Sequence, residues 1–136
     1  MASKATGYEI DIINITKNQL MESKRIAWQN LGSKGLHGLG KKFNDPNKLS
    51  DALRIQYQSP PGGTGGGLIG YIEINNATNT LTRQEVIDQI KFYLAQPNLV
   101  QEIKTGINRM DAIRIMRSNN NNPMSEFSPI LKSEWQ

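Results

Sequence analysis

Residues 68–95, LIGYIEINNATNTLTRQEVIDQIKFYLA, carry the strongest local signals in the chain. The first part, residues 68–75, has apolar side chains at alternate positions on both faces, which predicts a buried β-strand. Residues 81–95 have apolar side chains at helical spacing, and Thr82 and Glu85 have the spacing of a capping box. This stretch therefore predicts a strand followed directly by an amphipathic helix.

A glycine-rich stretch, GGTGGG at residues 62–67, lies immediately before this strand. The segment before it, DALRIQYQ at residues 51–58, alternates apolar and polar side chains, which predicts a strand with one wet face. Residues 65–70 match the nucleotide-binding pattern G-x-G-x-x-G, but that pattern requires a helix after the glycines. The glycines are therefore predicted to form the tip of a β-hairpin, not a phosphate cradle.

The N-terminal part of the chain gives weaker signals. Residues 8–16, YEIDIINIT, are rich in β-branched side chains and predict a strand. Residues 19–31 fit a helix and a strand about equally, so both alternatives stay open. Residues 32–47, GSKGLHGLGKKFNDPN, combine glycines with lysines and end in turn-forming residues, which predicts a mobile basic loop.

The C-terminal part begins with PNLVQEIKT, residues 97–105, which predicts a second helix that starts at a proline and stops at Gly106. Residues 107–117 fit a third helix, while residues 112–116 fit an extended segment equally well. Residues 118–136 contain two prolines and four consecutive asparagines before an apolar end, which predicts a polar connector and an arm that needs a surface to lie on.

Together these elements predict an α+β fold. An antiparallel sheet would be followed by two or three C-terminal helices and an extended C-terminal arm. Residues 1–117 would form the single domain, and residues 118–136 would form the arm.

The composition limits the chemistry that the chain can perform. The 136 residues include no cysteine and a single histidine, His37. Thiolate nucleophiles, disulfides and histidine-cluster metal sites are thereby excluded, and a serine triad would have to use that one imidazole. No signal peptide or membrane span is apparent. We therefore expect a soluble protein made in a cytoplasm, which is not an enzyme and needs no cofactor.

The formal charge of +4 is concentrated in one segment. Residues 17–42 contain six basic residues and one acidic residue, a local net charge of +5. Such a cluster attracts a phosphate backbone, although it is equally typical of a solvated surface. If it binds nucleic acid, the residues in contact are Lys17, Lys24, Arg25, Lys34, Lys41 and Lys42. Trp28 could stack on a base beside them or pack in the core.

The order of a strand, a long helix, a short break and a second helix in residues 71–103 resembles the C-terminal half of coat proteins of single-stranded RNA bacteriophages. The resemblance implies interlocked homodimers that assemble into a shell around RNA, so the chain would be a structural virion protein with itself and nucleic acid as partners and no membrane partner. It implies a dimer stripe of Val86, Ile90, Leu94, Leu99 and Ile103, and the arm residues Ile130, Leu131 and Trp135 would add assembly contacts. The alternative function is a small nucleic-acid-binding accessory module, of the single-strand-binding type, that forms no shell.

Overall fold

The computed structural model of the protein describes residues 12–14 and 17–136. The strands are β1 (Ile12–Asn14), β2 (Gln19–Ile26), β3 (Gly67–Ile74), β4 (Ala112–Asn119), β5 (Asn122–Glu126) and β6 (Ile130–Leu131). The α-helices are α1 (His37–Asn44), α2 (Asp51–Tyr57), α3 (Arg83–Leu94) and α4 (Gln101–Arg109). A wider helical turn of the π type, Leu31–Leu36, runs directly into α1, and short 3-10 turns lie at Trp28–Asn30 and Lys132–Glu134.

The strands form one mixed sheet in the order β1-β2-β3-β4-β5, and β6 also pairs with β4. The central pairs β2–β3 and β3–β4 are parallel, while β1, β5 and β6 are antiparallel to their neighbours. Each parallel pair requires a crossover connection, and the helices supply it: α1 and α2 lie between β2 and β3, and α3 and α4 between β3 and β4. The predicted antiparallel sheet followed by C-terminal helices is therefore wrong, because the helices are interleaved between parallel strands.

The core lies between one face of this sheet and the helices. Leu20, Ile72 and Ile113 point into it from the three parallel strands, and each is fully buried. Alternate residues of the same strands, such as Ile69, belong to a second, smaller cluster on the opposite face. The three parallel strands are adjacent in the sheet in the order in which they occur in the chain. Two crossovers of the same hand between such strands place their helices on the same face of the sheet.

The predicted strand at residues 51–58 is a helix, α2. Ser50 caps it by accepting a hydrogen bond from the backbone N–H of Leu53 at 3.2 Å. Leu53 and Tyr57, four residues apart, pack against the core, while Ile55 between them is 45% exposed. An alternating pattern over so few residues fits the period of a helix as well as that of a strand. The residues at helical spacing, Leu53 and Tyr57, are the ones that contact the core. The predicted hairpin between residues 51–58 and β3 is wrong as well, because 51–58 is helical and β3 pairs with β2 and β4.

The predicted mobile loop at residues 32–47 is also largely helical. Leu36, Leu39 and Phe43 have helical spacing and are fully buried, so the segment contains an apolar stripe among its glycines. Gly40 in α1 lies against α4, where a β-carbon would come within 2.7 Å of the Ile103 carbonyl oxygen. The glycines that suggest a loop therefore allow close contact between two helices.

The remaining local predictions have mixed outcomes. The helix predicted at 81–95 is confirmed as α3, with both bonds of the Thr82–Glu85 capping box. Residues 19–31 form β2 and a 3-10 turn, and residues 112–116 extend as part of β4. The second helix is α4, which begins after Val100 and continues through Gly106. Of the strand predicted at 8–16, Ile12–Asn14 is confirmed as β1, and residues 8–11, 15 and 16 lie outside the described residues.

The C-terminal segment is not an extended arm, because it completes the sheet of its own chain. Asn120 and Asn121 have φ values of 48° and 67°, which gives the tight hairpin turn between β4 and β5. The indole of Trp135 is 3% exposed and donates to the side-chain oxygen of Asn108 at 3.1 Å. The surface that the apolar end requires is thus supplied by β4 and α4.

A two-pronged ion pair anchors this segment to α3. The Arg83 guanidinium donates to both carboxylate oxygens of Glu134, at 2.8 and 2.7 Å. The hydrogen bonds from Arg83, joined by one from the Leu131 backbone N–H, lower the pKa of Glu134 from 4.5 to about 2.

We expect this pair to make stability depend on acid. Since the folded pKa of Glu134 lies below the unfolded value, its contribution is complete above about pH 4.5 and is lost as pH falls towards 2. The free energy of unfolding should fall more steeply over this window in the wild type than in Glu134→Gln, measured by urea denaturation at each pH. Identical pH profiles would show that the pair does not stabilise the fold.

Candidate nucleic-acid interface

Lysine side chains from β2, from the helical segment that ends in α1 and from the turn after it line one cavity. We call it the lysine pocket, and its volume is about 430 Å³. Among the residues that the structure describes, its lining includes five lysines and no carboxylate: Lys24, Ser33, Lys34, His37, Gly38, Lys41, Lys42 and Lys48. This arrangement places a high positive charge density around a space that a small anionic group can enter.

Helix geometry explains how the sequence brings these lysines together. Lys41 and Lys42 lie seven and eight residues after Lys34, about two helical turns, and so share one side of the helical segment with it. Lys24 reaches the pocket from β2 across Gly38, where a β-carbon would lie 2.9 Å from the Lys24 Cε. Lys48 follows a turn in which its backbone N–H donates to the Asp45 carbonyl oxygen at 2.9 Å.

A buried carboxylate, Glu22, lies close to the two inner lysines. Its side chain is 3% exposed, and its Oε2 lies 3.6 Å from the Lys24 Nζ and 3.8 Å from the Lys42 Nζ. The Lys42 side chain is itself only 10% exposed. Burial of an ammonium group is expensive unless a negative charge is near, so Glu22 allows Lys42 to point inward.

The three outer lysines have a different environment. Lys34, Lys41 and Lys48 form no ion pair with any carboxylate in the part of the chain that the structure describes. Lys34 and Lys41 are exposed, and Lys48 is partly exposed. Their ammonium groups are therefore available to an anion from outside the chain.

The arginines on the opposite face of the sheet are paired instead. Arg25 lies 3.2 Å from Glu73 and also contacts the side-chain oxygen of Asn121. Arg114 donates to both carboxylate oxygens of Glu126, at 2.8 and 2.9 Å. Excess positive charge is therefore a property of the lysine pocket and not of that face.

The structure brings together four of the six basic residues predicted from the sequence: Lys24, Lys34, Lys41 and Lys42. Arg25 points to the other face of the sheet, since side chains alternate along a strand. Lys17 lies in the turn before β2 and does not line the pocket. Sequence reasoning missed Lys48, which is brought close by the turn after α1. Trp28 packs against the core.

His37, which belongs to the segment predicted to be a mobile loop, lies instead on the first turn of α1. It is half-buried, and its Nδ1 lies 3.4 Å from the hydroxyl of Tyr93 in α3. Burial raises the pKa of that Tyr93 hydroxyl, so it stays protonated and can donate to the imidazole. This contact links the position of the His37 ring to the core helices.

The residues assigned to a dimer or assembly interface lie mostly inside the chain. Five of them are between 0 and 4% exposed: Val86, Ile90, Ile103, Ile130 and Trp135. Leu94 and Leu99 are partly buried against the same core, and Leu131 is 54% exposed. Side chains already covered by their own core offer little area to a second copy, so the first five have no large surface for an interface.

The glycine stretch at 62–67 connects α2 to β3. A β-carbon at Gly65 would lie 2.5 Å from the Tyr57 backbone, so the loop packs closely against the end of α2. Gly67 has a φ of 136°, a backbone conformation that favours glycine. These contacts explain the glycines by packing and backbone geometry.

Comparisons of the chain with protein-family models, with curated protein sequences and with solved structures found no match. Within the described residues, no three His, Cys, Asp or Glu side chains are grouped to hold a metal ion. Among the same residues, no helix is both long and apolar enough to cross a membrane. The lysine pocket is therefore the feature of the molecule that bears on its function.

Proposed function

We propose that the protein is a small nucleic-acid-binding module that holds a phosphate backbone at the lysine pocket. One observation carries this proposal: Lys34, Lys41 and Lys48 surround a cavity without a carboxylate partner among the described residues. Lysine ammonium groups bind phosphate as point charges and release counterions from a nucleic acid when they do so. Such contacts give affinity without reading the sequence.

The number of lysines favours a chain of phosphates over a single one. Lys34, Lys41 and Lys48 line one cavity and have no carboxylate partner among the described residues. One phosphodiester group carries a single negative charge and so neutralises only one of the three ammonium groups. A polyanion with phosphates at regular intervals can engage each lysine in turn.

The coat-protein function, with its location in a virion, stays a prediction. It would use the same contact with nucleic acid as the module proposed above. The fold that the resemblance implied is not the one observed, and the buried residues of its proposed interface have no surface to offer. We therefore favour a module that forms no shell and that works in the cytoplasm in which it is made. Particles in negative-stain micrographs of the purified protein would overturn that preference.

Replacing Lys34, Lys41 and Lys48 with Ala should weaken binding to single-stranded RNA. Each lost phosphate contact lowers the slope of log affinity against log salt by about 0.7, so the slope should fall by about 2. Lys42 is left in place because its ammonium group is buried beside Glu22. The measurement is fluorescence anisotropy of a labelled strand at a series of salt concentrations.

The matched control replaces Lys91, Lys104 and Lys132 with Ala, which removes the same charge from other elements. If both triple variants lower the slope equally, net charge and not the pocket governs binding. If an acidic polypeptide of equal charge competes as well as RNA, the pocket accepts negative charge in general. Either result contradicts the proposed function.

A further inference from the structure

A second cavity adjoins the lysine pocket and has a different character. It has a volume of about 440 Å³ and lies between the end of α1 and the turn before α4. Pro46, Val100 and Ile103 give it an apolar wall, and Val100 is 53% exposed. His37 and Lys41 line both cavities, so the two spaces meet at these side chains.

We infer that this apolar cavity holds an unpaired nucleobase of the strand whose phosphate is bound in the lysine pocket. The inference rests on the proposed function and specifies its ligand as a single strand. In a single strand the base and its phosphate are neighbours, as the two cavities are. In a duplex the bases are stacked and paired, and the edge of a base cannot enter a side cavity without unstacking.

The side chains of the apolar cavity fit a base better than a phosphate. Asp45 and Glu102 line this cavity, and their carboxylates repel a phosphate but can accept hydrogen bonds from the amino group of a base. Asp45 Oδ1 also accepts a hydrogen bond from the Asn47 backbone N–H at 2.9 Å. Asn44 adds a side-chain amide that can both donate and accept. The His37 ring, oriented by Tyr93, provides a flat surface for stacking.

The chemistry of these carboxylates also selects among the bases. Cytosine, adenine and guanine carry an exocyclic amino group that donates to a carboxylate, whereas uracil and thymine do not. The ligand is therefore a single strand whose bound base carries an amino group. Glu102 is exposed on the first turn of α4 and so accessible to such a donor.

The test compares three single strands of equal length and charge: oligodeoxycytidylate, oligodeoxythymidylate and an abasic strand. Base stacking on a protein side chain contributes about 1–3 kcal/mol per base, so the cytidylate should bind about five- to 150-fold more tightly than the abasic strand. The affinity for the thymidylate should lie between the affinities for the cytidylate and the abasic strand. A cytidylate–guanylate duplex should lose the advantage that the unpaired cytidylate has over the abasic strand.

Two variants place the effect in the apolar cavity. Val100→Ser removes apolar surface at the residue that caps α4, where serine is favoured, so the helix should remain intact. It should reduce the advantage of the cytidylate over the abasic strand, whereas Ile55→Ser, at an exposed apolar residue of α2, should not. Glu102→Gln should reduce the preference for cytidylate over thymidylate.

The outcomes separate this inference from the proposed function. Equal affinity for base-bearing and abasic strands, with a strong salt dependence for both, would overturn the inference and leave phosphate binding intact. Equal affinity for cytidylate and thymidylate would overturn the preference for an amino group. Absence of binding to all three strands would contradict the proposed function and the inference together.

Discussion

Gly106→Ala should destabilise the protein by about 3 kcal/mol, although alanine is a better helix former than glycine by about 1 kcal/mol. Gly106 lies inside α4 at its crossing with α1, and a β-carbon there would overlap the carbonyl group of Gly40. A backbone carbonyl cannot move aside as a flexible side chain can, so the two helices must separate. The measurement is the free energy of unfolding from chemical denaturation.

The control for this prediction is Gly62→Ala. Gly62 lies in the loop before β3, and no atom of residues 12–14 or 17–136 lies within 4 Å of the β-carbon that alanine would add. We expect that variant to be unchanged or up to about 1 kcal/mol more stable, because alanine restricts the unfolded chain. If the Gly106→Ala protein is as stable as the Gly62→Ala protein, α1 and α4 do not cross at Gly40 and Gly106. The position of the lysines on α1 would then also be in doubt.

Glu22→Gln should lower stability and strengthen anion binding at the same time. Removing one partner of a buried ion pair costs about 3 kcal/mol, and Glu22 faces both Lys24 and Lys42. The same change adds one unit of positive charge beside the lysine pocket. The Kd of the Glu22→Gln variant for single-stranded RNA should fall roughly threefold, because a unit charge a few ångströms away contributes about 1 kcal/mol or less in a solvated site.

A second carboxylate provides the matched control. Asp51 forms an ion pair with Arg54 at 3.6 Å, but its side chain is 65% exposed. Asp51→Asn makes the same change in charge, and we expect less than about 0.5 kcal/mol of destabilisation from it and little change in Kd. The double variant Glu22→Gln with Lys42→Met should recover part of the stability lost in Glu22→Gln. If Glu22→Gln behaves like Asp51→Asn, Glu22 does not hold the inner lysines.

The elements that could be predicted from the sequence are those with a local chemical signature. The helix α3 is specified by Thr82 and Glu85, whose reciprocal bonds depend only on residues three apart. The strand β3 is specified by an apolar run that is buried along most of its length. Neither signal depends on the rest of the chain.

The pairing of strands could not be predicted in this way, since it depends on distant parts of the chain. The segment 51–58 alternates over too few residues to separate the periods of helix and strand, and its assignment as a strand led to an antiparallel hairpin. With α2 helical, the chain between β2 and β3 is a helical crossover, which a parallel pair requires. The β3–β4 pair is parallel through its own crossover, α3 and α4.

The candidate site was partly predictable. The local excess of lysines was visible, but the glycines among them suggested a loop, whereas Gly40 is there because α4 passes close by. The apolar spacing of Leu36, Leu39 and Phe43 is the signal that identifies the helix and so places Lys34 and Lys41 on one side. Lys48 required knowledge of the turn after α1.

Lysine footprinting of the wild-type protein, with and without single-stranded RNA, tests whether nucleic acid binds at the lysine pocket. The protein is acetylated briefly, and the modification of each lysine is read by mass spectrometry. We expect RNA to protect Lys34, Lys41 and Lys48 while labelling of Lys91, Lys104 and Lys132 is unchanged. Protection of the second set without the first would contradict the assignment of nucleic-acid binding to the lysine pocket.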